Sequence, residues 1–407
     1  MKIYLVGGAV RDTLLNYPFD ERDWVVVGAS PEQMIELGYK PVGKDFPVFL
    51  HPENSEEYAL ARTERKTAPG YKGFVFHTAP DVTLEEDLIR RDLTINAMAM
   101  DEDRTVIDPY GGQRDLESRT LRHVSPAFAE DPLRVLRVAR FAARYHHLGF
   151  TLAPETAELM AQLSASGELN HLTAERVWQE VERGLMTDSP DVFITCLRDC
   201  GALKILLPEV DALWGVPQRA DYHPEVDTGV HLLMSLQQAA RLDNNSLVRF
   251  AVLMHDLGKG ITPADVLPRH TGHEAAGVPL VQNVCDRLKV PREHRELALA
   301  VTQFHLLCHQ ANILRPKTLL KLLQNIGALR DSKKLDDFIA ACLADARGRT
   351  GFENTDYPAC ELLPRILQAV MAVDTSDLAN SNLDGKARGE EVTKRRIAAI
   401  AEAVKTN

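Results

Sequence analysis

No stretch of the 407 residues approaches the ~20 consecutive apolar residues that a membrane helix needs, so no spanning segment is expected. Positive charge is not in excess either. The 47 lysines and arginines face 58 acidic residues, for a formal net charge of −11. A chain that coats nucleic acid through its bulk field would be strongly basic, so any such partner must be held by a local patch. The six cysteines form no Cys-x-x-Cys pair and are too sparse for a disulfide framework; they read as reduced thiols of a cytoplasmic protein. The apolar run Ile3–Val6 is too short for the apolar region of a signal peptide, which points to the same compartment. There is no internal repeat and no low-complexity tract. Hydrophobic residues at 45% and charged residues at 26% exclude a mostly disordered chain.

Residues 1–122 read as a mixed α/β unit. Ile3–Val6 and Trp24–Val27 are short β-rich runs beside glycine or charged turn residues, and Leu93–Met100 is a further strand expectation. Ala9–Leu15 predicts a short helix, and Asp108–Gly112 a turn. From Pro132 onward the pattern is helix after helix. The expected division is a head over 1–122, an all-α neck and body over 123–215, a helical domain over 225–349 and a helical tail over 350–407. The proline-rich segment Pro208–Pro224 reads as a linker.

Gly7-Gly8-Ala9-Val10-Arg11-Asp12 follows a strand and opens a helix. Bare backbone at Gly7 and Gly8 lets N–H groups approach phosphate oxygens, and Arg11 would add a fork of donors to a triphosphate. The same dipeptide also serves as an ordinary tight turn. Thirteen residues after Gly8, Glu21 and Asp23 stand at i and i+2, so in an extended segment both carboxylates point to one side. Side-by-side oxygen ligands suit Mg²⁺, which takes one or two carboxylates plus substrate phosphates. The alternative is a solvated acidic turn.

GGAVRD, then ERDWVV, then Arg90-Arg91-Asp92-Leu-Thr-Ile-Asn96, then Asp108-Pro-Tyr-Gly-Gly, resembles in order and spacing the bacterial tRNA nucleotidyltransferases. These are the CCA-adding enzymes and their poly(A) polymerase relatives, with a polymerase-beta-like head. The resemblance implies that Glu21 and Asp23 hold Mg²⁺, that Gly8 and Arg11 contact the incoming nucleotide, and that Arg91 contacts its sugar. It also implies a mobile loop over Thr63–Asp81. The family usually shows Asp-x-Asp, so Glu21 is a departure, one methylene longer but still a carboxylate. Glu57 is the expected third acidic ligand.

Arg134, Arg137, Arg140 and Arg144 fall within an arc of about 120° on a helix that Asp131 could cap and Pro132 could open. Alone this reads as an exposed basic face. Asp131 and Arg134 also fit the family's EDxxR motif, which implies that they read the Watson–Crick edge of the incoming base. Arg137 and Arg140 would then lie beneath base and phosphates. Asp131 as a simple cap stays open.

The second helical block carries His231, His255-Asp256, His273 and His305. His255-Asp256-Leu-Gly-Lys-Gly ends an apolar helix, and Thr271-x-x-Glu274 reads as a capping box that puts His273 in the first turn of the next. Imidazoles with a carboxylate suit Ni, Fe, Zn or Mn rather than Ca. The pattern resembles the HD phosphohydrolases, whose H…HD…D ligands map to His231, His255 and Asp256, with Asp345 as the distal aspartate. His273 and His305 are further ligands or phosphate contacts, and Ni²⁺ is the expected metal.

A nucleotidyltransferase head followed by an HD domain resembles the CCA-adding enzymes that carry both. That implies addition of C, C and A to tRNA from CTP and ATP, with hydrolysis of 2′,3′-cyclic or 2′-phosphates as a second activity. It also implies a monomer or homodimer. A poly(A) polymerase shares the head motifs but typically carries a basic tail, and stringent-type regulators join the two chemistries in the opposite order.

Overall fold

The computed structural model describes residues 1–42, 48–66, 74–77, 79–242, 245–380 and 383–405. The chain divides into two compact units, Met1–Glu180 with Thr195–Leu206, and Val181–Ile194 with Leu207–Asn407.

The first unit is built on a seven-stranded sheet. Its strands are β1 (Lys2–Val6), β2 (Asp23–Val27), β3 (Lys40–Val42), β4 (Val48–Leu50), β5 (Glu57–Leu60), and, after the ribbon β6 (Thr63–Lys66) and β7 (Phe74–His77), β8 (Ala99–Met100) and β9 (Val106–Ile107). The order is β3-β4-β5-β2-β1-β8-β9, with β2 and β5 parallel and the rest antiparallel. Alternation along β2 decides the packing. Val26, with Trp24 beside it, joins Met34, Tyr39, Phe49, Tyr58 and Leu60 on one face. Val25 joins Val6, Ala61, Leu84, Leu88, Ala97 and Ala99 on the other. The strand expected over Leu93–Met100 is mostly not one: Thr94–Asn96 is a single 3₁₀ turn and only Ala99–Met100 pairs. Asp92 explains the break, since its carboxylate accepts from the Leu93 N–H and from Asn96 Nδ2, both at 2.9 Å, which curls the backbone. Of the expected loop Thr63–Asp81, residues 67–73 and 78 lie outside the described residues.

Arg134–Tyr145 forms the arginine-bearing helix, two residues later than expected, with Asp131 Oδ1 accepting from the Leu133 N–H at 3.1 Å ahead of it. Its arginines are not an exposed face. Arg137 Nε and Nη2 each lie 2.8 Å from Asp92 Oδ2, and Arg140 Nε donates to Glu180 Oε2 at 2.7 Å. Arg144 and the Tyr145 hydroxyl reach Asp12 at 3.3 and 2.8 Å.

The second unit is helical. Thr228–Arg241, Ser246–Met254, Arg292–His309 and Lys333–Arg347 pack around Leu232, Phe250, Val301 and Phe338, all fully buried. Pro208–Pro224 is folded and is no linker. Val210 and Leu213 are fully buried, Gln218 is buried, and Pro217 pairs with Asp227. Among the described residues no helix is long and apolar enough to cross a membrane.

The Asp92 pairing generates a test. Burial opposes its charge, yet Arg137, Asn96 and Arg134 hold the carboxyl well below its usual range. Asp92→Ala leaves Arg137 short of its nearest partner, so we expect a loss of about 3–5 kcal/mol in urea unfolding at neutral pH. A depressed folded-state value means the stabilisation is full above the unfolded-state value of about 3.9 and is lost as pH falls below it. The gap between variant and wild type should therefore narrow below about pH 4; a gap independent of pH would show that the charge is not what Asp92 contributes.

Candidate functional site

In the first unit the expected carboxylates lie near the start of β2 and β5, and among the described residues they do not form a donor group as close as those of the second unit. Asp23 opens β2 and is the register partner of Glu57 on the parallel β5, so the two side chains leave the same face. Glu21 lies two residues ahead, and all three are exposed. Partial burial, with the neighbouring Glu21 charge, raises the Asp23 carboxyl above its usual range against the pull of Arg91 and Arg137. Arg91 reaches this face from the chain after helix Leu84–Ile89, donating from Nη2 to Asp87 Oδ2 at 3.1 Å. It lies over Gly7, where a Cβ would fall 2.9 Å from Nη1, and the φ of 66° at Gly7 is what favours glycine there. The buried Nε of Arg91 has no hydrogen-bond partner among the described residues. Gly8 begins the helix Gly8–Leu14 just beyond.

Other expected nucleotide contacts are engaged elsewhere. Arg11 is buried, forked onto both Asp12 oxygens at 2.8 Å, hydrogen-bonded to Asn96 and stacked on Phe141 and Tyr145. In this structure it braces the glycine turn and is not presented to solvent. Asp131 uses Oδ1 as the cap and Oδ2 as acceptor for Arg176 at 2.8 Å. Arg134 is buried and donates to the carbonyls of Ala127 and Arg90. Arg137 and Arg140 pair with Asp92 and Glu180 as described above. These side chains hold the helix in place, a role the stripe alone did not reveal.

In the second unit every expected ligand meets. His231 comes from Thr228–Arg241, His255 caps Ser246–Met254, Asp256 follows, His273 begins His273–Leu288, His305 lies in Arg292–His309, and Asp345 lies in Lys333–Arg347. Gly272, at φ 81°, takes the N-cap before His273 in place of the expected Thr271. The ring orientations follow from the main chain. A carbonyl oxygen can only accept, so Nδ1–H donates from His231 to Gly348 (2.9 Å), from His255 to Val252 (2.7 Å), from His273 to His270 (2.7 Å) and from His305 to Val301 (3.0 Å). All four Nε2 atoms therefore face inward.

They form two donor sets, His231, His255 and Asp345, and Asp256, His273 and His305, each with ligand atoms within 4.8 Å of one another. His231 and His255 Nε2 stand 3.0 and 3.5 Å from Asp345 Oδ1, and His273 Nε2 stands 3.3 Å from Asp256 Oδ1. Asp256 Oδ2 turns to His255 at 3.1 Å and to Lys259 Nζ at 2.6 Å. His255 Nε2 and Asp256 Oδ1 are buried with no well-aligned hydrogen bond among the described residues. Inward lone pairs facing carboxylates need a proton or a cation between them, so the residues fit a metal ion. The electrostatics agree. Burial opposes a charge on His255, but Asp256 and Asp345 raise it to about 10. Burial lowers His305 to about 3, keeping it a neutral ligand.

Alongside runs a cavity of about 500 Å³ lined by Lys259, Arg347, Arg349, Tyr222, His309 and Tyr357 among others. His309 Nε2–H donates to Asp345 Oδ2 at 2.8 Å, which leaves Nδ1 to accept from the Tyr357 hydroxyl at 2.8 Å.

Family models match this geometry in order: a poly A polymerase head domain over residues 3–122, a probable RNA- and SrmB-binding site of polymerase A over 149–213, and an HD domain over 228–346. A multifunctional CCA protein of Thioalkalivibrio sulfidiphilus is 59% identical over 402 residues, 99% of this chain and 98% of that protein. The chain belongs to the multifunctional CCA protein family. Its members are nucleotidyltransferases with an HD phosphohydrolase domain, and a second, from Teredinibacter turnerae, is 57% identical over 98% of this chain and 97% of its own. Solved CCA-adding enzymes share the fold: an apo form at 21% identity (TM-score 0.67, 98% and 90% of the two chains), and the Thermotoga maritima enzyme complexed with tRNA at 19% (0.64, 100% and 91%).

Several residues of this CCA-family site were missed in the sequence. His309 stands four residues after His305, on the same helical face, and that spacing was a usable signal. His223 and Glu225 were masked by their place in and beside the segment taken for a linker. Asp12 and Glu180 had no local mark.

Gly258 of the His-Asp-Leu-Gly run shows how tightly the centre is packed. A Cβ there would run into the His273 carbonyl and lie 2.7 Å from the Gly277 nitrogen. Gly258→Ala should push His273 out of reach of Asp256 and destabilise by about 1–3 kcal/mol, seen as earlier melting. Wild-type melting and wild-type hydrolysis together would refute that packing.

Proposed function

We propose that the first unit adds C, C and A to the 3′ end of tRNA from CTP and ATP, and that the HD centre hydrolyses phosphates at RNA ends, 2′,3′-cyclic and 2′-phosphates above all. The observation that carries the transferase reading is the shared face of Asp23 and Glu57, with Glu21 two residues before the strand, beside Arg91 and the bare Gly7 turn. CCA-adding enzymes of the same fold have been captured with tRNA, CTP and ATP, which supports those partners here. We place the enzyme in the cytoplasm, as a monomer or homodimer.

Glu21 and Asp23, with Glu57 as the third carboxylate, offer only oxygens and suit Mg²⁺; the HD centre offers mostly imidazole nitrogen and suits a transition metal, with Ni²⁺ our assignment. Bound at these positions, the cations would supply Lewis acidity toward phosphoryl oxygens. The remaining work belongs to the chain. Arg91 presents its donors on the sugar side, and the Gly7-Gly8 backbone admits the triphosphate. Asp131 and Arg134 read the base. For that, Asp131 must exchange Arg176 for the exocyclic amine of C or A, and Arg134 must exchange a carbonyl for the ring nitrogen. In the HD cavity, Lys259, Arg347 and Arg349 supply positive charge for a terminal phosphate, and Tyr222 and Tyr357 offer faces for a base.

Two donor sets of different chemistry predict separable activities. His255→Ala should reduce hydrolysis of 2′,3′-cyclic phosphate to background and leave C and A addition at the wild-type rate. Asp23→Ala should do the reverse, with tRNA binding kept, and Ni²⁺ should stimulate hydrolysis more than transfer. Rates of both reactions and the melting temperature, taken on both variants, test this; a parallel loss of both activities in His255→Ala would reduce the histidines to helix packing.

Base reading has its own test, because a site rejects the wrong base when its buried polar groups are left unpaired. Asp131→Ala should admit UTP or GTP. Unchanged discrimination with earlier melting would leave Asp131 as a cap alone.

A further inference from the structure

We propose that Glu225 is the positioning carboxylate of the HD centre: it fixes the ring of His231 and strengthens it as a cation ligand without touching cation or substrate. This rests on the reading of the HD centre as a metal site.

The four inward-facing imidazoles are not anchored alike. His255 and His305 fix Nδ1–H on main-chain carbonyls. His273 does the same, with Glu274 no nearer than 3.5 Å and partly exposed. Of the four, only His231 has a buried carboxylate within hydrogen-bond distance of its Nδ1. Its Nδ1–H donates to Gly348 O at 2.9 Å, and Glu225 Oε1 lies 3.1 Å from the same nitrogen; the Glu225 side chain is 2% exposed. Glu225 is itself clamped: Oε1 also accepts from His223 Nδ1 at 3.0 Å and Gln218 Nε2 at 3.4 Å, and Oε2 from the Thr350 N–H at 3.4 Å. Both groups that face His231 Nδ1 are held by local constraints. Gly348 must be glycine, because a Cβ there would run into Ser235. Val226, directly after Glu225, takes φ 61°, a conformation a β-branched residue rarely adopts, and its carbonyl is held by the Gln218 N–H at 2.7 Å. A turn kept in that state at this point aims Glu225 at His231.

The physical consequence concerns the other nitrogen. A carboxylate on Nδ1–H draws that proton and leaves more electron density at Nε2, the atom 3.0 Å from Asp345 Oδ1. It also removes the ring's freedom to flip. Partners of this kind are worth about 10–100-fold in metal affinity. A carbonyl alone would hold the tautomer, so what Glu225 adds is charge. The rival reading is that Glu225 only ties the segment 218–226 to the bundle.

Full-length, untagged E225Q, E225D and H255A decide between them, with Ni²⁺ alone as the titrant in calorimetry of metal-free protein. E225Q keeps size and an acceptor oxygen but loses the charge. We expect its Ni²⁺ dissociation constant to rise about 10–100-fold, its metal-free melting temperature and its CCA addition to match wild type, and its hydrolysis to recover as Ni²⁺ is raised. E225D keeps the charge and should regain part of the affinity. If H255A weakens Ni²⁺ binding and E225Q does not, the Glu225 proposal falls and the metal centre stands. If H255A leaves Ni²⁺ binding intact, the metal centre itself falls. Earlier melting of E225Q and E225D alike, at unchanged affinity, would make Glu225 a segment anchor.

Discussion

A buried carboxylate must find positive charge or lose its own, and both units are organised around that demand. In the first unit Asp12, Asp87, Asp92 and Glu180 are buried, and arginines answer each of them. In the second, Asp256 and Asp345 lie among five imidazoles and one lysine, and the compensation is left incomplete. Asp256 Oδ1 keeps no well-aligned hydrogen bond among the described residues, and His255 Nε2 is in the same state. The difference separates architecture from chemistry. A saturated network fixes a fold; an unsaturated one of mixed nitrogen and oxygen donors waits for a cation.

That contrast explains what could be read from the chain. The i, i+2 carboxylates and the strand after them follow from period-2 geometry, which is local. The His-Asp pair at the end of an apolar helix is equally local, and the fold class followed from such marks. The fate of the arginine stripe was not legible. Periodicity reports that Arg137, Arg140 and Arg144 share a face, but their partners Asp92, Glu180 and Asp12 lie 45, 40 and 132 residues away. Nothing local to Asp12 says that it will be buried under Tyr145. The proline-rich segment misled for a related reason. A proline can open a helix, as Pro208 does for Pro208–Asp211, and turns do not preclude burial: Val210, Leu213 and Gln218 are all buried.

The two centres differ in exposure as well as in donors. Glu21, Asp23 and Glu57 stand exposed at the starts of the interior strands β2 and β5, where on the proposed reading a triphosphate would complete a shell of oxygens. Glu21 precedes the first residue of β2, so its extra methylene meets no packed neighbour strand in register. A longer side chain is easier to accept there than in the HD centre, where Gly258 leaves no room even for a Cβ.

The saturated network of the first unit has one mechanical consequence. Arg11 joins the glycine turn to Asp12 and Asn96, and Asp12 is held by Arg144 and Tyr145 of the Arg134–Tyr145 helix. Asn96 binds Asp92, which binds Arg137 of the same helix, and Phe141 lies against Arg11, Arg137 and Arg140. The turn that would take phosphates and the helix beside Asp131 and Arg134 are thus tied by two charge-paired routes. Each route is buried and hydrogen-bonded, so sliding one element past the other would break several ionic contacts at once. On the proposed reading, a base met at Asp131 would therefore be one whose phosphates lie at a fixed distance, and the side-chain exchanges proposed for Asp131 and Arg134 would not need to displace the helix.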